Sequence, residues 1–423
     1  MIEHWKSTKC RLCNSENMSK VIPLEAIPIG EKYLENPDKE ADKRFPVDLY
    51  NCSDCYCVQT LDSINSDYLW SDYTYFSSQT DGIIKHQEEF ALKILDQYQI
   101  EKNSIVFDIG SNDGTLLQAF KSRDCRVFGV DPADTVADIA NSHGIETHVG
   151  LFSSNEMDSF PEKYRTNFAS IITAFNVFAH SDDMQGMIDG VKRALLPDGI
   201  FFFEVQYLKD ILDKKLIGTI FHEHMIHYSV NSAQNFLEDN DMLLIDAQRN
   251  GIQKGSIIFT AVKKGNILEE QDSVSILKKL ENNDGYTDGS KFEEFNSSIR
   301  KNRDIVSTIV QEIEQKRGEI AGYGAARSGP TLAIQLGLEN TLTSLYDDHP
   351  SKVDKFSAFE SLKVFPTSEL IIKMPSLTVI LAWLHSKNII SKSVDYLQKG
   401  GKFLVLWPEV VIIDKNNYSE WIK

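Results

Sequence analysis

Short apolar segments alternate with helical segments through the middle of this 423-residue chain, and this alternation constrains the fold more than any other feature. Strands are predicted over residues 104–109, 126–130, 169–173 and 200–204, and a helix is predicted to begin near residue 115. Strands that alternate with helices pair in parallel, and the helices then cover both faces of the sheet. The sequence therefore predicts an α/β domain with a doubly wound parallel sheet.

A second α/β unit is predicted near the C-terminus. Residues 319–323 and 343–346 read as strands, and a Gly-rich turn with a helix lies between them. Before this unit, residues 266–316 are highly charged, and their apolar residues recur at helical spacing, which predicts amphipathic helices that bridge domains. These apolar residues are Ile276, Leu277, Leu280, Ile305, Ile309 and Ile313.

Five of the six cysteines lie within the first 57 residues. Cys10 and Cys13 form one CxxC motif, and Cys52 and Cys55 form a second. Two such motifs suit tetrahedral thiolate binding of zinc, and four thiolates leave no open position, so a structural zinc ion is predicted. Cys57 could compete as a ligand, but it is interpreted as a small buried residue, as Cys125 is.

Acidic residues outnumber basic ones, and the formal net charge is −18. A broad attraction to nucleic-acid phosphates is therefore not expected, although a local basic pocket could bind a small anion. No N-terminal signal and no run of about 18 uncharged apolar residues is present, so a cytoplasmic protein without membrane partners is predicted.

The turn after the first predicted strand is Gly-rich and acidic. Its residues are Asp108, Ile109, Gly110, Ser111, Asn112, Asp113 and Gly114. Two carboxylates there would repel the pyrophosphate of a dinucleotide, whereas they would favour the ammonium and sulfonium groups of S-adenosylmethionine (SAM). Asp131, followed by Pro132, is the acidic residue expected to bind ribose hydroxyls. Helix capping or turn chemistry is the alternative role for each aspartate.

Three histidines occur within six positions, beginning with His222-Glu223-His224. The segment fails the HExxH zinc-hydrolase pattern, because Ile226 occupies the place of the second histidine. Three roles stay open: a metal bound by His222 and His224, histidines satisfied in the core, and acid/base work. The last is favoured because a neutral histidine can accept a carbon-bound proton.

An aromatic, hydroxyl-rich segment covers residues 67–78 and includes Tyr73 and Tyr75. It is interpreted either as a packing strap between domains or as a lid whose tyrosine hydroxyls reach an active site. A helix is predicted to begin after it, near Asp81.

The ordered series of motifs resembles the sugar C-methyltransferases of deoxysugar biosynthesis, which act on thymidine-diphosphate-linked 4-keto-6-deoxysugars. The motifs are the paired CxxC, DIGSNDG, GVDPA, NVFAH, FEVQY, FHEHMIHYS and GYGAARSG. The resemblance implies an N-terminal zinc-binding domain, a central SAM-binding methyltransferase domain and a C-terminal Rossmann-like domain that helps to hold a sugar nucleotide. Together with the charged helical segment, the predicted domains are 1–80 (zinc-binding), 81–265 (methyltransferase), 266–316 (helical connector) and 317–423 (C-terminal). It also implies that His224 removes the proton beside the carbonyl and that Glu223 assists.

The predicted site residues follow from these motifs. The cofactor site comprises Asp108, Gly110, Asn112, Asp113, Gly114, Asp131, Pro132, Asn176, Val177 and His180, and the catalytic group comprises His222, Glu223, His224, Tyr73 and Tyr75. The substrate site comprises Glu204, Tyr207, Tyr228, Tyr323, Gly324, Arg327, Ser328 and Asp347. Phe221 departs from the family, which often has tyrosine there, so Tyr73, Tyr75 or Tyr228 is expected to substitute for the missing hydroxyl.

Three other functions fit parts of the sequence. A dehydrogenase could hold NAD with Gly322, Gly324, Gly329 and Asp347, although the glycine spacing matches GxGxxG poorly. A non-catalytic zinc and sugar-nucleotide binding relative is suggested by Phe221. Methylation of oxygen or nitrogen would need a hydroxyl or an amine in place of an acidic carbon.

Overall fold

The computed structural model describes residues 2–30, 32–38, 41–70, 76–286 and 289–422, without the side chain of Asp67. Tyr73 and Tyr75 lie outside the described residues. The chain divides into two compact units that alternate along the sequence. The first unit comprises Met1–Ser19, Asn51–Lys209 and Met225–Thr287, and the second comprises Lys20–Tyr50, Asp210–His224 and Asp288–Lys423.

The first unit contains most of the central α/β elements. Its strands are β1 (His4–Lys6), β7 (Val58–Thr60), β8 (Asp62–Ile64), β9 (Ile105–Ile109), β10 (Arg126–Asp131), β11 (Thr147–Val149), β12 (Ala169–Phe175), β13 (Leu195–Gln206), β14 (Ile226–His227), β15 (Met242–Asn250) and β16 (Ser256–Lys263). Its helices are α1 (Ser66–Trp70), α2 (Asp81–Gln97), α3 (Thr115–Lys121), α4 (Asp134–Ser142), α5 (Met184–Ala194), α7 (Val230–Asp239) and α8 (Asp272–Asn283). Along the chain, β2 (Met18–Ile22), β6 (Leu49–Cys52) and α6 (Leu208–Asp213) run across unit boundaries.

A seven-stranded sheet with the order β11-β10-β9-β12-β13-β16-β15 organises this unit. Strands β9 to β13 pair in parallel, whereas β16 is antiparallel to both of its neighbours. In dinucleotide-binding sheets the last strands are added in parallel. The antiparallel strand β16, which lies between β13 and β15, distinguishes this sheet from dinucleotide-binding sheets. The predicted doubly wound α/β domain is confirmed.

The sheet is apolar on both faces because helices cover both. Phe107 and Phe128 stack at 5.5 Å between ring centroids, and Phe128 stacks on Tyr164 at 4.0 Å. Burial of each such side chain contributes about 1.5–3 kcal/mol. This packing fixes the carboxyl ends of β9 and β10, which carry Asp108 and Asp131 at the same edge of the sheet.

The second unit is built on a six-stranded sheet with the order β20-β18-β17-β21-β22-β23. Its strands are β3 (Ile27–Pro28), β4 (Tyr33–Leu34), β5 (Arg44–Phe45), β17 (Ile320–Tyr323), β18 (Leu342–Tyr346), β19 (Phe356–Ser357), β20 (Val364–Phe365), β21 (Leu377–Ile380), β22 (Phe403–Val405) and β23 (Val411–Ile413). Its helices are α9 (Ser290–Gln315), α10 (Gly329–Gln335), α11 (Leu370–Lys373), α12 (Ser386–Lys392), α13 (Val394–Gln398) and α14 (Tyr418–Trp421). Only β23 is antiparallel among the pairings of this six-stranded sheet, so the second α/β unit is also confirmed.

The charged segment before this unit forms the predicted helices, but part of the predicted apolar face is wrong. Ile276, Leu280 and Ile305 are exposed. On α8 the buried face carries Val274, Leu277 and Glu281, and on α9 it carries Phe292, Phe295, Asn296, Ile299, Asn302, Val306 and Val310. Polar side chains such as Glu281 and Asn296 belong to these buried faces. Because the spacing of apolar residues alone does not register them, it predicted a buried face that is rotated around the helix from the observed one. Among the described residues, no helix combines the length and apolar character needed to cross a membrane.

Candidate functional sites

The four CxxC cysteines come together through two knuckles of the same shape. In each knuckle the amide after the second cysteine donates to the carbonyl of the first, Asn14 N to Cys10 O and Tyr56 N to Cys52 O, both at 2.9 Å. Asn14 and Tyr56 both adopt φ of 60°, which turns the chain sharply after each pair. The two knuckles therefore present their sulfurs to one point.

The sulfur positions fit a tetrahedral zinc ion. The four Sγ atoms lie within 4.8 Å of one another. Cys10 Sγ is 3.5 Å from Cys55 Sγ, and Cys13 Sγ is 3.6 Å from Cys52 Sγ. A tetrahedron with Zn–S bonds of about 2.3 Å requires edges of about 3.8 Å. Among the described residues, this is the group of His, Cys, Asp and Glu side chains with metal-binding spacing, and His222 and His224 belong to no such group.

Cys57 is fully buried beside these thiols but is not part of the group of four. Burial raises the pKa of the Cys57 thiol well above its usual value. Its interpretation as a small buried residue agrees with this position. Gln59, which the motifs did not indicate, donates from Nε2 to Cys10 Sγ at 3.0 Å and to Cys57 Sγ at 3.4 Å.

The Gly-rich turn after β9 depends on glycine at its first position. Gly110 adopts φ of +69°, and a Cβ there would lie 2.2 Å from Val177 Cγ2. Asn176, just before Val177, itself adopts φ of 57°. The NVFAH segment therefore packs directly on the turn, which brings the predicted cofactor residues Gly110, Asn176 and Val177 together.

Gly110→Ala is expected to lower SAM affinity at least about tenfold and to destabilise the unit by about 1–3 kcal/mol, because it combines a left-handed backbone with a clash against the branched side chain of Val177. Gly82→Ala is the matched control, since Gly82 lies in α2 and a Cβ there meets nothing within 4 Å. Calorimetric titration with SAM and thermal melting measure both effects. Equal affinities in the two variants would contradict the placement of the donor at this turn.

Asp131, at the end of β10, holds the Gly-rich turn after β9 through backbone hydrogen bonds. Its Oδ2 accepts from Asn112 N and its Oδ1 from Ala133 N, both at 2.9 Å. Asp113 is engaged similarly, since its Oδ1 accepts from Thr115 Oγ1 at 2.6 Å and its Oδ2 from Ser78 N at 3.0 Å. The turn chemistry named as the alternative for these aspartates is thus present. It orients the carboxylates without excluding a ligand, because each carboxylate oxygen has two lone pairs.

Burial changes the charge of this site. It raises the pKa of Asp108 to about 7 and that of Asp131 to about 6. Asp108 is also held by Thr173 Oγ1, which donates to its Oδ1 at 2.6 Å. Near neutral pH the turn is therefore less negative than its sequence indicates, and a bound cation would restore the charge by stabilising both carboxylates.

Glu204 lies at the end of β13 and is completely buried. His86 Nε2 lies 2.8 Å from Glu204 Oε2, and Asn250 Nδ2 donates to Glu204 Oε1 at 2.6 Å. His86 is a residue that the motifs did not indicate, because a single histidine on a helix carries no local signal. His180, the last residue of the NVFAH segment, stacks its ring on Trp70 at 5.7 Å between ring centroids.

Tyr207 and Tyr228, both predicted to bind substrate, are completely buried. Tyr207 donates to Glu281 Oε1 at 2.8 Å, and Tyr228 donates to Phe178 O at 3.1 Å. Since both hydroxyls hold core partners, neither tyrosine is included in the site proposed below. Tyr228 is for the same reason a poor substitute for the hydroxyl that Phe221 lacks.

In the second unit, His224 lies beside a backbone carbonyl that sets its tautomer. Its Nδ1 is 2.6 Å from Thr219 O. A carbonyl oxygen can only accept, so Nδ1 carries the hydrogen and Nε2 is the basic nitrogen. Burial lowers the pKa of His224 to about 4, and the charge of Arg327 adds to this effect while the Thr219 bond opposes it. The ring is therefore neutral at physiological pH.

Glu223 and His222 are anchored by different parts of the same unit. Arg327, on the Gly-rich turn after β17, forms an ion pair with the buried Glu223 at 3.1 Å. His222 Nε2 donates to Phe45 O at 3.2 Å, with the two rings edge to face. His222 is buried whereas His224 is partly exposed, so His224 is the more accessible of the two histidines.

The turn after β17 is held in the same way as the turn after β9, by an aspartate that accepts from two backbone amides. Asp347 Oδ2 accepts from Ala325 N and its Oδ1 from His349 N, both at 2.8 Å. Gly324 adopts φ of +92°, and a Cβ there would lie 2.3 Å from Ala382 Cβ. Two residues that the motifs did not indicate, Tyr33 and Lys352, donate to Ala325 O at 2.7 and 2.9 Å.

The remaining predicted substrate residues lie near this turn. Tyr323 ends β17 and packs on Phe403 at 5.9 Å, and Ser328 directly precedes α10. A small cavity is lined at the turn by Gly324, Ala325, Ala326, Gly329 and Pro330 together with Ile29, Gly30 and Tyr33. The predicted assignment of this turn to a sugar nucleotide stays a prediction.

Family comparisons define the class of protein. Residues 10–70 match a family described as a zinc binding domain, residues 83–243 match a methyltransferase domain, and residues 251–408 match a C-methyltransferase C-terminal domain. With the sheet and the Gly-rich turn, these matches identify the chain as a SAM-dependent methyltransferase.

Individual relatives narrow the class. C-methyltransferase NovU of Streptomyces niveus is 26% identical over 407 residues, which cover 96% of each chain. A ubiquinone biosynthesis O-methyltransferase of Idiomarina loihiensis is 24% identical over 173 residues, 40% of this chain and 70% of that protein. The resemblance to the C-methyltransferases is confirmed, since the similarity to NovU extends over nearly the whole chain.

Among solved structures, magnesium protoporphyrin IX methyltransferase from Synechocystis PCC 6803 with bound S-adenosylhomocysteine is similar to 46% of this chain and 91% of its own. The sequence identity is 15% and the TM-score 0.35.

Proposed function

We propose that the protein transfers the methyl group of SAM to a carbon beside the carbonyl of a nucleotide-linked 4-keto-deoxysugar, with thymidine diphosphate as the nucleotide. The observation that carries this proposal is the tautomer of His224, because a neutral ring with a basic Nε2 is equipped to accept a proton from carbon. Similarity to a C-methyltransferase along nearly the whole chain supports the same reaction.

Nε2 of His224 takes the proton from the carbon next to the carbonyl, and the electron pair moves to the carbonyl oxygen as an enolate. The enolate carbon then attacks the methyl carbon of SAM, and the bond to sulfur breaks to leave neutral S-adenosylhomocysteine. The proton on His224 is finally released to solvent.

A pKa of about 4 keeps His224 deprotonated but makes it a weak base in the free protein. The proposed substrate carries a negatively charged diphosphate, and the enolate adds another negative charge. Both would raise the pKa of His224 toward neutrality, since nearby negative charge stabilises an imidazolium. Base strength would thus increase when substrate is bound.

In this proposal Glu223 is an ionised anchor rather than an acid. Its carboxylate is buried and paired with Arg327, and breaking such a pair by removing one partner typically costs about 3–5 kcal/mol. The pair also ties the HEH segment to the Gly-rich turn after β17. Arg327 therefore positions the segment that carries the base.

The four cysteines would hold a Zn²⁺ ion. A shell of four thiolates supplies structure and leaves no position for a substrate. No step of the proposed reaction therefore involves this site directly.

The test is to incubate the protein with SAM bearing a ¹³C-labelled methyl group and with thymidine-, uridine- or guanosine-diphosphate 4-keto-6-deoxysugars. We expect label in a methyl group bonded to a quaternary or tertiary ring carbon, and preference for the thymidine nucleotide. A methoxy or N-methyl resonance would replace the proposal with oxygen or nitrogen methylation. Binding of sugar nucleotide without turnover would favour a non-catalytic relative.

A further inference from the structure

The side chain of Gln59 contacts the first cysteine knuckle, residues 10–13, and is completely buried. Its Nε2 donates to Cys10 Sγ, as described above, and its Oε1 accepts from the backbone N of Arg11 at 3.0 Å and from Arg11 Nη1 at 3.2 Å. Both ends of the amide therefore contact the knuckle. A donor to a thiolate ligand is a contact of the kind that orients metal ligands.

The backbone of Gln59 pairs with the segment that directly follows His224. In the antiparallel pairing of β7 with β14, Gln59 is opposite Ile226 and Val58 is opposite His227. One residue further, Thr60 N donates to Met225 O at 3.0 Å. Met225 is the next residue after His224, so one strand joins the knuckle to the chain that carries the base.

A second connection reaches the same segment. The amides of Met225 and Ile226 both donate to Ala179 O, at 3.1 and 3.2 Å. Close by in sequence, Asp182 accepts from Arg11 Nε at 2.8 Å. Arg11 lies inside the first knuckle, so the loop that holds Met225 from the other side is also bound to the knuckle.

We propose that Gln59 is a positioning residue that transmits the geometry of the cysteine knuckle to Met225–His227 and thereby fixes His224. The thiolate site would then serve the active site as well as the stability of the N-terminal part of the chain. This role rests on the proposed function only in naming His224 as the base. The coupling between the knuckle and Met225–His227 is independent of it.

The test uses Gln59→Met, which keeps the length of the side chain but removes its donor and acceptor, in the full-length protein with saturating zinc. Gln87→Met is the matched control, because Gln87 is another buried glutamine of the same unit, on α2. The measurements are bound zinc by atomic emission, SAM affinity by calorimetry, and hydrogen–deuterium exchange of a peptide that covers residues 225–228.

For Gln59→Met we expect bound zinc and SAM affinity to be unchanged, at least about tenfold faster exchange at residues 225–228, and about tenfold lower kcat without a change in KM for SAM. Gln87→Met should leave the exchange of these residues as in the wild type. Gln59→Glu, which retains the acceptor for Arg11 but lacks the amide donor to sulfur, should reproduce the faster exchange.

Unchanged exchange at residues 225–228 in Gln59→Met would overturn the inference, and so would loss of zinc, which would mean that Gln59 acts through metal affinity. Faster exchange with a normal kcat would also overturn the inference, because the position of residues 225–228 would then have no effect on the reaction rate. Failure of the proposed function is a separate result, because it would appear as a fully active His224 variant whatever the exchange data show.

Discussion

His224→Asn is expected to lower the rate of methyl transfer by about 10²–10⁴-fold, the usual contribution of a positioned acid/base group. Asparagine can still donate to Thr219 O in place of Nδ1, but it provides nothing in place of the basic Nε2. His224 is not among the residues proposed to hold SAM, so SAM affinity should not change. Exchange of the substrate's α-hydrogen with heavy water, measured without SAM, isolates the proton-transfer step.

The control for this variant is His143→Asn, because His143 is exposed at the end of α4. It should retain wild-type exchange and turnover. If His224→Asn exchanges the α-hydrogen at the wild-type rate, another residue is the base and the assignment of His224 is wrong. If the wild-type protein itself shows no exchange, the enolate mechanism is wrong.

The same site predicts the direction of the pH dependence. The active form of His224 is the deprotonated one, and with a pKa of about 4 this form predominates above pH 5 in the free protein. An acid limb of kcat/KM that reports His224 should therefore lie near pH 4, well below the 6.5 of an ordinary histidine. Because an anionic substrate raises the pKa, the acid limb of kcat should lie at higher pH than that of kcat/KM.

Among the proposed variants, Cys10→Ser is expected to cause the largest loss of stability, because it would lose the metal ion. Structural zinc contributes about 10–16 kcal/mol of apparent binding free energy in small zinc domains, which equals or exceeds the whole stability of a typical domain. A loss of only a few kcal/mol lowers the melting temperature by about 2–4 °C per kcal/mol in domains of this size, so a fall of at least about 10 °C is expected.

Cys57→Ser is the matched control for Cys10→Ser, since Cys57 is buried beside the same sulfurs but lies outside the group of four. It should retain one zinc ion per chain and melt close to the wild type. Zinc content by atomic emission and thermal melting with and without a chelator provide the two measurements. Equal zinc loss in both variants would make Cys57 a ligand, and a metal-free wild type would refute the zinc site.

The sequence was most informative where function depends on residues close together in the chain. The two CxxC motifs, the Gly-rich turn and the aspartate at the end of the next strand were all recognisable because spacing within a knuckle or a βα unit sets the geometry directly. The spacing of apolar residues was a less reliable guide to which helix faces are buried. Glu281, which is buried on α8 and caps α7 through Val230 N at 2.6 Å, interrupts the apolar pattern that Ile276 and Leu280 had suggested.

By itself, the sequence determined the α/β class, the order of the motifs, the cysteine cluster and the HEH segment as the candidate base. Only the tertiary structure decided which nitrogen of His224 is basic, that Glu223 pairs with Arg327, and that Gln59 joins the first knuckle to the strand after the HEH segment. The physical reason is that protonation state and charge depend on burial and on partners far apart in the chain, such as Glu223 and Arg327, whereas local motifs record only their own neighbours.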